Sequence, residues 1–497
     1  MKPLGEWLRR AVALHQQGQA DEAEKLYAKV LKADRRNFDA LHALGLLKHQ
    51  QGHSDEGLRL IGAALKIKPN YADALLTYGN ILSELQRHEE ALGPFERAVA
   101  LSPQSARALN NQGNALAVLR RLDEALACFD RALTLDPRHA GTLINRAYTL
   151  LELGRYAEAI ADYERALKFR PDDAESQQYL AFAEFCMGKF ASAWKRYEWR
   201  WKSPLSAPAR HGSLPRWNGG EVNGAILVWG EQGLGDEIIY ASMMVDLTKR
   251  AKSVVLEVEP RLTKLFSRSL PGVQVIGRGD ELPHDIVTQS PLASLGQYLR
   301  PDWESFSRQH AAYLLADPDL TARLHARLSP NGETVIGLSW VSKSLAFGQF
   351  KTAQLADFES ILRRPHCRFA DLQYGDTLAE REAVTQATGI TVERLADIDN
   401  TNDIDGLAAL ITACDLVVTV SNTTAHLAGA LGKPTLLFVP QSRGQLWYWF
   451  NDRNDSPWYP SMRVERQKLG QSWKDLIARS ADQAAALLKQ ARTGQPG

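Results

Sequence analysis

Cysteine is scarce in this chain. Cys128, Cys186, Cys367 and Cys414 are the only four in 497 residues, scattered and without a CxxC pair. A disulfide framework and a zinc site of closely spaced thiolates are thereby disfavoured, and a reducing, cytoplasmic setting is expected. Long hydrophobic runs are missing too. The longest apolar stretches, such as residues 416–420 and 435–439, have strand length and are far too short to cross a bilayer. The first ten residues lack the continuous apolar core of a signal peptide. Excess charge of either sign is absent: the formal net charge is +1, which gives no electrostatic basis for binding nucleic acid or an anionic membrane. What is present is an ordinary globular composition, 44% hydrophobic and 24% charged. The chain is long enough to need more than one hydrophobic core. A soluble protein of at least two domains, without membrane insertion, is expected.

The first two hundred residues repeat. Gly18, Gly52, Gly154 and Gly188 lie on one grid of 34 residues, with Gln86 and Arg120 at the two intervening steps. A second column reads Ala23, Gly57, Ala91, Ala125, Ala159, Ala193, and a third, four residues on, Tyr27, Ile61, Phe95, Phe129, Tyr163, Tyr197. A fourth holds Pro69, Pro103, Pro137 and Pro171, with Arg35 at its first step. Small residues let paired antiparallel helices approach, the aromatic fills the space between hairpins, and proline ends each second helix. The period and the columns resemble the tetratricopeptide (TPR) repeat, in about six copies over residues 4–205. Asn111 and Asn145 occupy equivalent first-helix positions, as do Asn80 and Asn114. Stacked asparagines can hydrogen-bond an extended peptide backbone whatever its side chains. In this they are similar to the TPR region of O-linked N-acetylglucosamine transferases; the alternative is an ordinary polar, solvated face. A protein acceptor bound at these four asparagines is the functional expectation.

Tryptophan is rare in the repeats, yet Trp194, Trp199, Trp201 and Trp217 cluster at their end. A terminal repeat must cap the array or bury its open face, so a docked joint is expected, followed by a connector at 206–223. From residue 225 short β-branched runs alternate with helical patterns. Strands are predicted at 225–229, 254–258, 273–276 and 285–288, then at 335–340, 368–373, 390–393, 416–420 and 435–439. Apolar strands separated by helices imply parallel sheets. The two series imply two Rossmann-like lobes, at 224–320 and 321–497, facing a cleft at the carboxyl ends of the strands. The expected fold class is therefore α + α/β, a TPR α-solenoid followed by two Rossmann-like lobes.

Two segments stand at such strand ends. In the first, Gly230, Gly233 and Gly235 are followed by Asp236 and Glu237. The glycine spacing differs from the dinucleotide fingerprint but permits a tight turn with close ligand approach. Asp236 then sits at the cleft mouth, or caps the helix. In the second, Ser421, Asn422, Thr423 and Thr424 precede His426, Gly429 and Gly432. A helix start rich in donors is an anion site, and the helix dipole keeps a histidine in its first turn neutral.

The Leu234–Gly235–Asp236 turn and the helix from His426 to Pro434 look like the heptosyltransferase-related glycosyltransferases of the GT-B fold. The runs from Leu372 to Asp376 and from Ser456 to Ser461 look like the same group. Joined to TPR repeats, they resemble bacterial TPR-containing glycosyltransferases, including those that modify flagellin. The resemblance implies inverting, metal-independent transfer from a nucleotide sugar, without a further cofactor, and a catalytic base at Asp236. Where heptosyltransferases carry Asp-Thr this chain has Ser421 and Asn422, so their donor contacts do not carry over unchanged. Candidate donor contacts are Gly233, Gly235, Ser339, Lys343, Lys351, Gln373, Tyr374, Asp405, Asn422, Thr423, Thr424 and His426. Lys343 and Lys351 either reach the cleft or are solvated surface lysines. Asp403 and Asp405 either face the nucleotide or cap a helix. Two other functions stay open: a catalytically inactive TPR adaptor, and a transferase acting on a glycan or lipid-linked acceptor.

Overall fold

The computed structural model describes residues 2–203, 208–344, 348–441, 444–468 and 470–493. It divides into two compact units, Met1–Ser176 and Gln177–Gly497.

The first unit is a series of antiparallel helix hairpins, from Lys2–Gln16 with Ala20–Ala33 to Ala140–Glu152 with Tyr156–Leu167. The small-residue column (Ala23, Ala91, Ala125, Ala159) and the aromatic column (Tyr27, Phe95, Phe129, Tyr163) are fully buried or nearly so. The glycine grid has a backbone cause. Gly18, Gly52 and Gly154 end their helices with φ between +74° and +87°, and Gln86 and Arg120 take the same left-handed conformation at +61° and +66°. Only glycine adopts that region without a Cβ penalty, on the order of 1–2 kcal/mol for other residues. Gln86→Gly is therefore expected to raise the unfolding temperature of the repeat unit. Calorimetry that resolves this unit's own transition checks it; a lowered midpoint would show that the side chain matters more than the strain.

The helix Ala174–Cys186 runs from the first unit into the second, and the helix Phe190–Tyr197 belongs wholly to the second. Within the second unit the terminal aromatics are consumed by burial. Phe185 stacks on Trp447 at 4.0 Å, and Trp194, 1% exposed, donates its indole N–H to the Arg300 carbonyl at 2.8 Å. The segment before the first sheet adheres to that sheet's edge: Trp217 N–H donates to the Gln289 carbonyl and Gln289 N–H to that of Pro215. Residues 206 and 207 of the expected connector lie outside the described residues.

Two parallel sheets follow. The first comprises β1 (Val222–Trp229), β2 (Ala251–Val258), β3 (Val273–Gly277) and β4 (Ile286–Pro291), in the order β3-β2-β1-β4. The second comprises β5 (Thr334–Ser339), β6 (Cys367–Asp371), β7 (Val392–Glu393), β8 (Leu416–Val420), β9 (Thr435–Val439) and β10 (Met462–Arg466), in the order β10-β9-β8-β5-β6-β7. All pairings are parallel. The fold class is α + α/β. β5 and β8 are completely buried, as expected of strands covered on both faces. Strand order reverses between β5 and β8 in one sheet and between β1 and β4 in the other. Each sheet thus has a topological switch point, where ligands of open α/β sheets bind. Among the described residues no helix is long and apolar enough to cross a membrane.

Candidate active site

A cavity of about 620 Å³ lies at the carboxyl ends of the strands of both sheets. The turn after β1 forms one wall. Gly233 starts the helix Leu234–Ala241, and its N–H donates to the Asp236 carboxylate at 3.3 Å. Asp236 is half-buried and faces the cavity. Burial pushes its pKa up to about 6, against the opposing pull of the Gly233 N–H and the Lys351 charge; Glu231 adds to the rise. The neighbouring acids are engaged elsewhere. Glu237, pushed by burial to about 7, accepts from Glu259 N–H at 2.8 Å and from Arg278 at 2.7 Å. Glu231 forms a two-pronged pair with Arg200.

The turn after β8 forms the facing wall. Asn422 caps the helix Thr423–Ala430 by accepting from Ala425 N–H at 3.2 Å. Its amide donates to Ser339 Oγ at 2.8 Å and to the Val341 carbonyl at 3.1 Å, tying β8 to β5 at the switch point. The first backbone N–H groups of a helix have no intrahelical acceptor; that of Ala425 is taken by Asn422, and Thr423 and Thr424 stand at the cavity. Thr424, 1% exposed, stands at the cavity wall, its hydroxyl buried and without a hydrogen-bond partner among the described residues. His426 is buried between the hydroxyls of Tyr459 (2.9 Å, Nδ1) and Tyr448 (3.4 Å, Nε2) and stacks on Trp449. Burial, assisted by Lys351, drops its pKa to about 3, so it is neutral. The two turns touch: a Cβ on Gly235 would lie 2.7 Å from His426 Cδ2. Glycine at this position is a requirement of close approach between the two sheet domains.

The loop after β5 supplies the cation. Lys351 is only 6% exposed, lines the cavity, and its ammonium makes no hydrogen bond or ion pair among the described residues. Burial lowers its pKa, and Asp236 partly restores it. Lys351 is thus no solvated surface lysine. Lys343 is exposed, its ammonium 5.6 Å from the Tyr374 ring centroid, with its N–H on the Tyr374 hydroxyl at 2.6 Å. Both it and Tyr374 line the cavity.

Three expected donor contacts stand behind the wall instead. Gln373 Oε1 accepts from Ser339 Oγ, Trp340 N and Val341 N, all within 2.9 Å, so Ser339 and Gln373 splice β5 to the end of β6. Asp405 pairs with Arg268 and, at 2.9 Å, with Lys264. Both cations lie on the helix Thr263–Ser269 of the first sheet's layer, so Asp405 joins the two sheet domains rather than facing a nucleotide. Asp403 caps the helix Ile404–Ala413 through Gly406 N–H.

Other cavity residues had no local signature. Arg261, after β2, reaches across to the Thr401 carbonyl at 3.0 Å. Asn400, at the cavity wall, donates to the Asp371 and Gln373 carbonyls, and its buried Oδ1 has no donor among the described residues. Tyr448 lines the cavity as well. Among the described residues the wall carries Arg261, paired at 2.9 Å with Glu259 outside the cavity, together with Lys343 and Lys351, against the carboxylate of Asp236, a balance suited to a polyanion. Among the described residues there is no group of three or more His, Cys, Asp or Glu that could hold a metal ion.

In the first unit the asparagines form a connected ladder. Asn111 donates to Asn80 at 2.8 Å, Asn110 to Asn111 at 3.3 Å, and Asn145 to Asn110 at 3.0 Å. Asn110 is an unanticipated link, held also by Thr142. Asn114 is exposed and outside the ladder.

Comparison with known proteins agrees with this architecture in its first unit. The tetratricopeptide repeat family matches residues 7–37, 42–106 and 108–174, so the N-terminal region carries TPR repeats. The chain is 32% identical over 316 residues to protein FlbA of Caulobacter vibrioides, covering 58% of this chain and 51% of that protein. The chain therefore spans about half the length of this curated relative. Among solved structures, YrrB, a TPR protein with an unusual peptide-binding site, is 25% identical with a TM-score of 0.32, over 34% of this chain and 88% of its own. PilF of Pseudomonas aeruginosa is 20% identical with a TM-score of 0.38, over 41% and 93%.

Proposed function

We propose that the second unit is a glycosyltransferase that moves a sugar from a nucleoside diphosphate to a protein acceptor recruited by the repeats, in the manner of the flagellin-modifying group the sequence resembles. The observation that carries this reading is Lys351: a lysine 6% exposed whose ammonium makes no hydrogen bond or ion pair among the described residues, in a cavity at two switch points. An unpaired buried charge is costly unless a ligand pairs with it. The donor diphosphate bridges Lys351 and the helix start at Thr423–Thr424. The nucleoside lies toward Tyr374, Ile404 and Leu407. The sugar then projects toward Asp236 on the opposite wall.

Asp236 takes the proton from the acceptor hydroxyl. The freed oxygen attacks the anomeric carbon, and the bond from that carbon to the diphosphate oxygen breaks. The nucleoside diphosphate leaves with the bonding pair, held by Lys351 and the helix start. A base with a pKa near 6 is ionised at neutral pH and still basic enough to work. The leaving group needs electrostatic stabilisation, which a lysine in the cavity wall and a helix N-terminus supply.

A thermal-shift screen with UDP, GDP, ADP, CDP and TDP tests the donor site. A ligand at about 100 times its dissociation constant stabilises by about 2.7 kcal/mol. Thr423→Glu places a carboxylate at the helix start and is expected to abolish the shift without unfolding the protein. A shift that survives in this variant places the diphosphate elsewhere, and a folded protein inert to all five nucleotides, without transfer, favours an adaptor.

A further inference from the structure

The turn that carries Asp236 is held from outside the cavity by residues that continue the last repeat hairpin. Arg200 lies in the short 3-10 helix Glu198–Lys202, directly after the helix Phe190–Tyr197, and is 4% exposed. Its guanidinium donates to both carboxylate oxygens of Glu231, at 2.7 and 2.9 Å, and Glu231 also accepts from Ala293 N–H at 3.2 Å. The remaining donors of Arg200 reach Glu198, Ser294 Oγ and the Tyr197 carbonyl. The plane of the guanidinium lies 4.4 Å from the ring centroids of both Tyr197 and Trp201. Tyr197, sixth member of the repeat's aromatic column, takes a different task from its predecessors: its hydroxyl accepts from Gln232 at 2.6 Å. Glu231 and Gln232, two successive residues of the turn between β1 and Asp236, are thus each fixed by the end of the repeat.

We infer that Arg200 is a positioning residue for Asp236, holding the Glu231–Gln232 turn in register and neutralising Glu231, a carboxylate on the same turn as the base. The inference rests on the reading of Asp236 as the base. A planar, two-pronged clamp fixes orientation as well as charge, which an ammonium cannot do. Displacement of a reacting group by about 1 Å costs on the order of 100-fold in rate. The groups that face Asp236 are Glu231 on its own turn, Lys351 after β5, and the hydroxyls of Tyr197, Tyr240, Tyr448 and Tyr459. His426 is uncharged and the tyrosines are held protonated by burial, so Glu231 and Lys351 are the charges that set the acid limb of activity.

The test uses the full-length chain with Arg200→Gln, Arg200→Lys and Glu231→Gln. It measures kcat against pH with the diphosphate sugar whose nucleotide binds, and the dissociation constant of that nucleoside diphosphate. Arg200→Gln is expected to lower kcat about 10- to 100-fold with nucleotide affinity unchanged. Its acid limb should move above that of the wild type, because Glu231 is left without its counter-charge. Glu231→Gln should move the limb the other way, and Arg200→Lys should recover part of kcat. A merely structural clamp moves kcat and nucleotide affinity together and leaves the limb in place; that result overturns the inference. If Arg200→Gln does not fold, Glu231→Gln decides, and an unshifted limb overturns it. Wild-type kcat in the Arg200 variants, with Asp236→Asn inactive, removes this inference alone. Full activity of Asp236→Asn removes the base itself.

Discussion

Asp236→Asn is expected to lower sugar transfer by about 10²–10⁴-fold while nucleoside diphosphate binding is retained. Asparagine keeps the size of the side chain and the acceptor for Gly233 N–H, but cannot take a proton. The pH dependence follows from burial. With a pKa of about 6, activity rises tenfold per pH unit below that value and levels above pH 7. Stability carries the opposite sign. A carboxyl whose pKa is higher folded than unfolded binds more protons in the native state between about pH 4 and 6. Native stability is therefore lost as pH rises through that window. At pH 7.5 the asparagine variant should melt higher than the wild type, and at pH 3.5 the two should coincide. An aspartate that only caps a helix gives a different pattern: asparagine substitutes almost fully as a cap, and both turnover and melting stay put. Single-turnover transfer and thermal melts at the two pH values separate these outcomes.

The second large effect is on binding. Lys351→Met is expected to weaken nucleoside diphosphate affinity about 10- to 150-fold, the equivalent of one charged hydrogen bond of about 1.5–3 kcal/mol. Its lowered pKa marks a lysine whose charge is unfavourable in the empty protein. Methionine fills much the same volume without that charge, so the variant should melt at a higher temperature than the wild type. Lost binding together with gained stability is the signature of a residue kept for a ligand. Unchanged affinity in titration calorimetry would remove Lys351 from the donor site.

These two residues illustrate an uneven legibility. Asp236 could be singled out because a glycine turn, a strand end and a helix start all lie within a few residues of it. Lys351 could only be offered beside Lys343, since nothing in the local sequence says which of two lysines in one loop is buried. Arg261 and Asn400 went unsuspected because each enters the cavity from a turn without glycine spacing or a donor-rich helix start. Ser339 and Gln373 looked like donor contacts from their place at strand ends. Their hydrogen bonds to Asn422, Trp340 and Val341 are satisfied within the sheet. β10 escaped notice for a related reason: Arg463, Glu465 and Arg466 make an edge strand too polar to stand out.

The sequence by itself determined what depends on period and on near neighbours. Helix hairpins follow from the 34-residue columns, and the left-handed helix ends follow from the glycine grid, down to the two positions where Gln86 and Arg120 adopt the same φ. Parallel strands follow from short β-branched runs, and the two helix starts from their capping residues. Only the tertiary structure decided how charge was allotted. Glu231 is claimed by Arg200, Glu237 by Arg278, and Asp405 by Arg268 and Lys264, while Asp236 and Lys351 are left facing one cavity. The physical reason is that burial and charge pairing are set by groups that the fold brings from distant parts of the chain. Arg268 and Asp405 lie 137 residues apart, beyond the reach of any local pattern.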